Sequence, residues 1–431
     1  MVESHAPDTP TDSRIYVNGT RLPAGNVDCH LRKEGNLDFT RYVEGEFASP
    51  FRGGNYTDAF NGLAPEDQDG FDVVRLDVRD YETERYTTVF RGYVTGVGNS
   101  SNEPEQRWRF RAQGPGHLLD NIPASKRFTD ATITDVATYI TENLNEKLPF
   151  PVVFLETLED VVQEGDTVRN VESANDDASP SDYAFPIARI FSDLVASLTD
   201  NIHTPHTFQA NRDTLADVAS WLKDKSNVEI WLTPTDEGVG LVVARGAKQR
   251  HEAHYLGGDT QIVNNDALVE LRPVNTKVVK GGAKESQFSV GPLEINSPTD
   301  TFTTAKARHK PLYRRAGQRE LHANTETKTG ALSKEEVGNE AKSLLKQAIE
   351  GTTEGTMQTL LRGPIAPFDT VEARPTCNER VSASDESITY EVSRVHHKIR
   401  TGDEMSSTEL NVGVHVGDDD ITIIDSWESE A

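Results

Sequence analysis

The spacing of apolar side chains changes twice along this chain. From Arg14 to about Arg111 the period is two. Val74, Leu76 and Val78 share one side of a strand, and Tyr86 to Val97 alternates in the same way. Trp108, Phe110 and Ala112 lie on one face of a further strand, with Arg107, Arg109 and Arg111 on the other. Ile15-Tyr16-Val17 leads into Asn18-Gly19, a tight-turn dipeptide whose residues both accept positive φ. Residues 1–14 are polar and contain proline, which predicts a loose arm. The Gly, Asn, Asp and Pro of residues 49–70 predict a long loop.

A helical period follows. Ile133, Val136, Ala137, Ile140 and Leu144 are spaced for one face of a helix, Thr132 and Asp135 have capping-box spacing, and Pro149 stops the pattern. Pro186 opens a second helix with Ile187, Ile190, Phe191, Leu194 and Leu198 on its apolar face. A third begins near Asp213 and carries Leu215, Val218, Ala219 and Leu222. It runs into a hairpin, Val228–Leu232 and Gly240–Ala244, turning through Pro234 to Gly238. Residues 161–183 are acidic and rich in Ser, Asn and Asp, which predicts a flexible insertion.

The period returns to two from about Asp266. Leu268–Leu271 and Thr276–Lys280 are expected strands, broken by Gly281-Gly282. One helix interrupts, capped by Ser333 and Glu336 and lined by Val337, Ala341, Leu344, Leu345 and Ala348. Thr389–Ile399 and Ser407–Val414 predict a closing hairpin. The expected fold class is a β-dominated α+β protein: β-rich 1–118, α/β 119–260, and β-rich 261–431 with an inserted helix at about 334–350. The two β regions are candidates for a duplicated module, with faint direct similarity between them.

Charge changes this picture. The chain has 431 residues, 70 acidic against 44 basic, for a formal net charge of −26. Only 16 of the 44 are Lys and 28 are Arg. Acid excess, scarce lysine and 35% hydrophobic residues together suggest adaptation to molar salt, where the screening length falls to about 3 Å and self-repulsion fades. An acidic surface for a cationic target is the rival reading. Excess negative charge argues against a general nucleic-acid binder. No apolar run approaches the ~18 residues of a membrane helix, and the N-terminus lacks a secretory pattern.

The chemistry-bearing motifs are weak. There is no G-x-S-x-G, phosphate loop, dinucleotide fingerprint or H-E-x-x-H. His251 and His254, and His203 and His206, sit in polar segments that read as loops. His396 and His397 are adjacent on an expected strand, so their rings face opposite sides and do not share a metal. Asp418-Asp419-Asp420 and Asp176-Asp177 read as solvated turns, and Cys29 and Cys377 as separate thiols, with one long-range bridge as the alternative. The expectation is a non-enzyme with no catalytic, cofactor or metal residues. One cluster departs from the acidic background: Lys306, Arg308, Lys310, Arg314, Arg315 and Arg319, with Tyr313 among them. It reads either as pairing with surplus acids or as contact with an acidic partner or phosphate backbone.

Five segments in order resemble the tail-hub family, which includes late control protein D of tailed phages, the baseplate hub of contractile-tail phages and the N-terminal part of type VI secretion spikes. They are Phe90-Arg-Gly-Tyr-Val-Thr-Gly-Val97 with Trp108 to Pro115 and Leu118-Leu119; Ser125 to Val136; Asp213 to Leu222 with Val228 to Leu232; Ser333 to Leu345 with Gly355 and Gly363-Pro364; and Ile388 to Ile399 with Ser407 to Leu410. The insertion near 161–183 and the tract 283–330 have no counterpart in the resemblance.

The resemblance implies two hub-type β-barrels flanking the α/β domain, and three subunits forming a pseudo-sixfold ring. Such a ring would join a sixfold tail tube to a threefold tip or fibre apparatus, with a lumen for passage of viral DNA. The implied partners are two further copies of the chain, a tail tube or distal tail protein, a tail tip or fibre protein and a tape measure protein. The basic residues 306–319 would face such a partner or the lumen, with protein contact favoured. Any puncturing tip would be a separate protein. The acid excess suggests a virus of a halophilic archaeon. The alternatives are a spike-base component of a contractile injection system and a tail-associated hydrolase acting on the host surface. A carbohydrate-binding module finds no support in an aromatic content of 7%.

Overall fold

The computed structural model describes residues 12–22, 25–32, 41–49, 59–60, 71–100, 106–155, 201–202, 205–226, 228–235, 238–244, 254–256, 262–266, 276–281, 284–290, 293–299, 304–315, 317–318, 323–328, 334–350, 355–367, 369–373, 388–401, 404–414 and 420–425. The acidic stretch 161–183, the helix expected from Pro186, the strand expected at 268–271, Cys377 and most of the 49–70 loop lie outside them.

The first β region forms β1 (Ser13–Val17), β2 (Thr20–Arg21), β3 (Asn26–Arg32), β4 (Arg41–Ser49), β5 (Val73–Arg79), β6 (Tyr86–Ser100) and β7 (Gln106–Gln113). Asn18 and Gly19 turn β1 into β2 with φ of 48° and 78°, the left-handed pair that a two-residue hairpin needs. Val74, Leu76, Val78 and Ala112 are fully buried and Phe110 is buried, whereas Arg109 and Arg111 are exposed.

The α/β region has its own core. It comprises β8 (Arg127–Phe128), β9 (Ala131–Thr132), α1 (Ile133–Asn145), β10 (Val152–Leu155), β11 (Asn201–Ile202), β12 (His206–Thr207), α2 (Leu215–Ser226), β13 (Glu229–Pro234) and β14 (Val239–Ala244). The capping box at Thr132 and Asp135 is formed reciprocally, satisfying backbone donors that would otherwise be orphaned. α1 ends at Asn145, whose side chain clasps both the N–H and the C=O of Val152 and starts β10. β10 runs parallel and β13 antiparallel to β14. Both helices bury their apolar faces against this sheet, and Phe128 stacks on Trp221 with centroids 5.5 Å apart.

The last region contains β15 (His254–Leu256), β16 (Ile262–Asn265), β17 (Thr276–Gly281), β18 (Lys284–Val290), β19 (Leu293–Thr299), β20 (Thr304–His309), α3 (Lys310–Arg315), β21 (Ala323–Lys328), α4 (Lys334–Glu350), β22 (Thr356–Leu360), β23 (Thr370–Ala373), β24 (Ile388–Ile399), β25 (Ser407–Val414) and β26 (Ile421–Asp425). The described residues of the tract 283–330 thus fall mainly in strands and one short helix. His254, expected in a loop, lies in β15, which pairs with β23.

Strands from the two β regions, assigned from sequence to separate barrels, share one thirteen-stranded sheet. Its order is β16-β22-β25-β24-β3-β4-β7-β6-β5-β1-β2, with β23 beside β24 and β15 beside β23. One hydrophobic core runs beneath it, from Ile15 and Val17 to Leu410 and Val412. A second sheet, β21-β17-β20-β26, takes four more strands of the last region, and β18 and β19 form a two-stranded sheet of their own. Val337, Ala341, Leu345 and Ile349 of α4 pack there against Val279, Ala305, Ala307 and Ile421. The molecule is therefore β-dominated, with large antiparallel sheets and few helices.

A buried ion pair ties the two β regions together. Arg362 Nε donates to Asp80 Oδ2 at 2.9 Å, and Tyr81 N donates to Leu361 O at 2.8 Å. Asp80 is fully buried, and its Oδ1 accepts from Glu82 N, Thr83 N and Thr83 Oγ1. Replacing Arg362 with Met would strand that carboxylate. The expected loss is about 3–5 kcal/mol of unfolding free energy, read from urea denaturation midpoints, with Asp80→Asn in the Arg362→Met background recovering part of it.

Candidate assembly interface

Five strands of each β region repeat one plan. The first has β3-β4-β7-β6-β5, the second β16-β22-β25-β24-β23, in the same chain order. The match extends to single residues. Val94 N donates to Asp72 O at 2.8 Å, and Val392 N to Asp369 O at 2.9 Å. The ladder then shifts register between Val94 and Gly96 in β6, and between Val392 and Arg394 in β24. The hydroxyl at each bulge bridges to the neighbouring strand: Thr95 Oγ1 to Arg111 O at 3.3 Å, Ser393 Oγ to Asn411 O at 3.1 Å. Val97 faces Phe110 as Val395 faces Leu410. The sixth strand differs, since β1 is antiparallel to β5 and β15 is parallel to β23.

The two modules meet at a seam. β24 is 12 residues long; Ile388–Glu391 pairs with β23, and Arg394–Ile399 pairs antiparallel with β3 along the same edge. Alternation sorts the seam's side chains. On one face, the His30 and His396 rings stack with centroids 3.8 Å apart, and His396 Nε2 lies 2.9 Å from Asp28 Oδ1. Arg400 donates from Nη2 to Asp28 Oδ1 at 2.9 Å and from Nη1 to Oδ2 at 3.2 Å. Burial works to raise the Asp28 carboxyl. The hydrogen bonds with His396 and Arg400 and the Arg400 charge outweigh it, holding the group well below the usual carboxylate range. On the other face, Cys29 and His397 are buried as cross-strand partners, and His397 Nδ1 is 3.0 Å from Thr408 Oγ1. Burial first, and the neighbouring His396 second, push the His397 ring down to about 3.

Asp28, His30 and His396 bring cation-type ligand atoms within 4.8 Å of one another. Arg400 already donates to both Asp28 oxygens, and Asp28, His396 and Arg400 form a hydrogen-bonded clasp with His30 stacked on it. Sequence reasoning placed His396 and His397 on opposite faces but missed their partners. The available signal was the matching alternation of Asp28-Cys29-His30 with His396-His397-Lys398 in two strands far apart in the chain.

The basic residues singled out from sequence are partly brought together. Lys306 and Arg308 project half-buried from one face of β20, because Ala305, Ala307 and His309 occupy the face turned to α4. The Arg308 guanidinium lies over the Tyr313 ring at 4.0 Å. Lys310 and Arg314 are exposed on α3, whose Leu312 N donates to His309 Nδ1 at 3.3 Å. The side chain of Arg315 and all of Arg319 lie outside the described residues.

His397 makes the seam acid-sensitive. The ring stays neutral in the fold down to about pH 3 but takes a proton near 6.5 once unfolded. Between these values the unfolded chain binds more protons, so stability falls as pH drops, by about 1.4 kcal/mol per pH unit. His397→Met should flatten that slope below pH 6.5 while losing about 1 kcal/mol at pH 7 with the Thr408 hydrogen bond. Urea midpoints at pH 7 and pH 5 for the two proteins check it; equal slopes would refute the assignment.

No protein-family model matches the chain, and no curated protein matches it in sequence. Solved structures do. The 43 kDa tail protein of prophage MuSo2 from Shewanella oneidensis is 11% identical, with 94% of this chain and 98% of that one covered at a TM-score of 0.55. The tail protein from Neisseria meningitidis MC58 is 11% identical, with 93% and 96% covered at 0.54. A component of the E. coli type VI secretion system is a looser match, 10% identical over 93% and 76% at 0.42. Over nearly its whole length, the chain has the fold of phage tail proteins.

Proposed function

We propose that this chain is a structural hub of a viral tail. Three copies would form a ring joining a sixfold tail tube to a threefold tip or fibre apparatus, around a lumen that passes the genome. The observation that carries the reading is the internal repeat: each chain supplies the same five-stranded plan twice, so three chains supply it six times. Hub proteins work by shape, and a non-enzymatic role fits the absence of recognisable catalytic motifs in the sequence. The proposed partners are the tail tube or a distal tail protein, the tip or fibre protein, and the tape measure. The basic face of β20 and α3 would meet one of these neighbours.

The acid excess supports assembly in concentrated salt, since three copies carry three times −26, or −78. Light scattering of the purified protein in about 2–3 M salt, where screening is complete, should give three times 47.6 kDa. A stable monomer would count against the ring. The assembly should weaken in dilute buffer, and equal mass in both would remove the salt argument. Reversing charge with Arg314→Glu and Arg315→Glu should lower the yield of complete particles, counted by electron microscopy; normal particles would make the cluster an ordinary solvated face.

A further inference from the structure

The seam is half of a pattern whose other half, among the described residues, is unpaired. In the first module, β3 presents its edge away from β4 to β24. Its equivalent in the second module, β16, has β22 on one edge and, among the described residues, no strand on the other. β6 is equivalent to β24. β5 covers it from Tyr86 to Tyr93; beyond that, Val97–Ser100 pairs with β7 on one side and, among the described residues, with nothing on the other. Among the described residues, each chain therefore satisfies one such strand pair internally and leaves one edge of each kind without a strand.

We propose that β16 of one copy adds antiparallel to the open half of β6 in the next, reproducing the β3–β24 seam between chains. This rests on the hub reading and names the contact that would build the ring. Residue equivalence fixes the register. Gly45 faces Phe110 as Met357 faces Leu410. Asp28 lies opposite Glu44, one residue before Gly45. Asp266 N donates to the carbonyl of Thr356, one residue before Met357. Asp266 is thus the counterpart of Asp28. Lys398, the partner of Asp28, lies six residues past the Val392 bulge, as Ser100 lies six past Val94. Asp266 therefore falls opposite Ser100.

The surroundings fit a strand arriving. Thr95, Gly96 and Gly98 are exposed, and the Cβ positions of both glycines open onto empty space. Val263 of β16 is 50% exposed. Val94–Ser100 and Ile262–Asn265 hold no Lys, Arg or Pro, the residues that guard an edge meant to stay single. The contact is head-to-tail, so it propagates until the ring closes.

Cysteine pairing tests this. Because Asp266 N–H points to β22, Asp266 and Ser100 would form a non-hydrogen-bonded pair, with Cα atoms about 4.5 Å apart and within disulfide reach. In a Cys377→Ser background, Ser100→Cys and Asp266→Cys are made singly, mixed, and oxidised. The expected result is a band at twice 47.6 kDa from the mixture and from neither variant alone. Asn265→Pro removes an N–H that points away from β22, so it should cut the cross-linked fraction about tenfold while the protein keeps its thermal melt. An oligomer of unchanged mass without the cross-link, or Asp266→Cys linking to itself, would overturn this pairing and leave the hub reading standing. A protein that stays monomeric at every concentration in molar salt would overturn both.

Discussion

The antiparallel ladder between β3 and β24 is the constraint on which the larger sheet depends. A strand edge is a row of unsatisfied donors and acceptors, and burying one without a partner costs more than most single contacts supply. Here the 12 residues of β24 serve two neighbours on one edge, β23 and then β3, and β25 on the other. This division makes the core continuous, because Val27, Cys29 and Leu31 arrive from one module opposite Val395 and Ile399 from the other. The clasp of Asp28, His396 and Arg400 closes the solvent side of the same ladder. Arg362 and Asp80 then fix the modules a second time, through loops rather than strands.

Local structure was legible in the sequence where local chemistry decides it. The Asn18-Gly19 turn, the Thr132 capping box, the β13–β14 and β24–β25 hairpins and the helix at 334–350 all depend on residues close together in the chain. The seam was not legible, because β3 and β24 are more than 350 residues apart and either would pair equally well with another amphipathic edge. The repeat was nearly hidden for a related reason. What the modules share is a bulge, a bridging hydroxyl and an alternation, and Thr95 with Ser393 or Val97 with Val395 is little to recognise. At one matched site the volumes are redistributed: Gly45 under Phe110 in the first module, Met357 beside Leu410 in the second. Packing conserves the sum and not the residues.

The basic cluster shows the limit of reading composition. Six cations in fourteen residues stand out in an acidic chain, yet β20 alternation separates them by role. Lys306 and Arg308 flank alanines that must face α4, and Arg308 is spent in part on the Tyr313 ring. Lys310 and Arg314 on α3 are the exposed members. Charge density along a sequence is therefore an upper bound on charge available at a surface.

The two modules differ most in what separates their first two strands. In the first, residues 33–40 join β3 to β4; in the second, residues 266–355 join β16 to β22 and hold β17 to β21 with α3 and α4. One gene thus encodes the same brick in two trims, one plain and one bearing an outrigger. Any course laid from alternating bricks carries its outriggers at every second position. Halving a rotational symmetry then needs no second gene and no asymmetric neighbour, only a single long insertion in one of two otherwise matching turns.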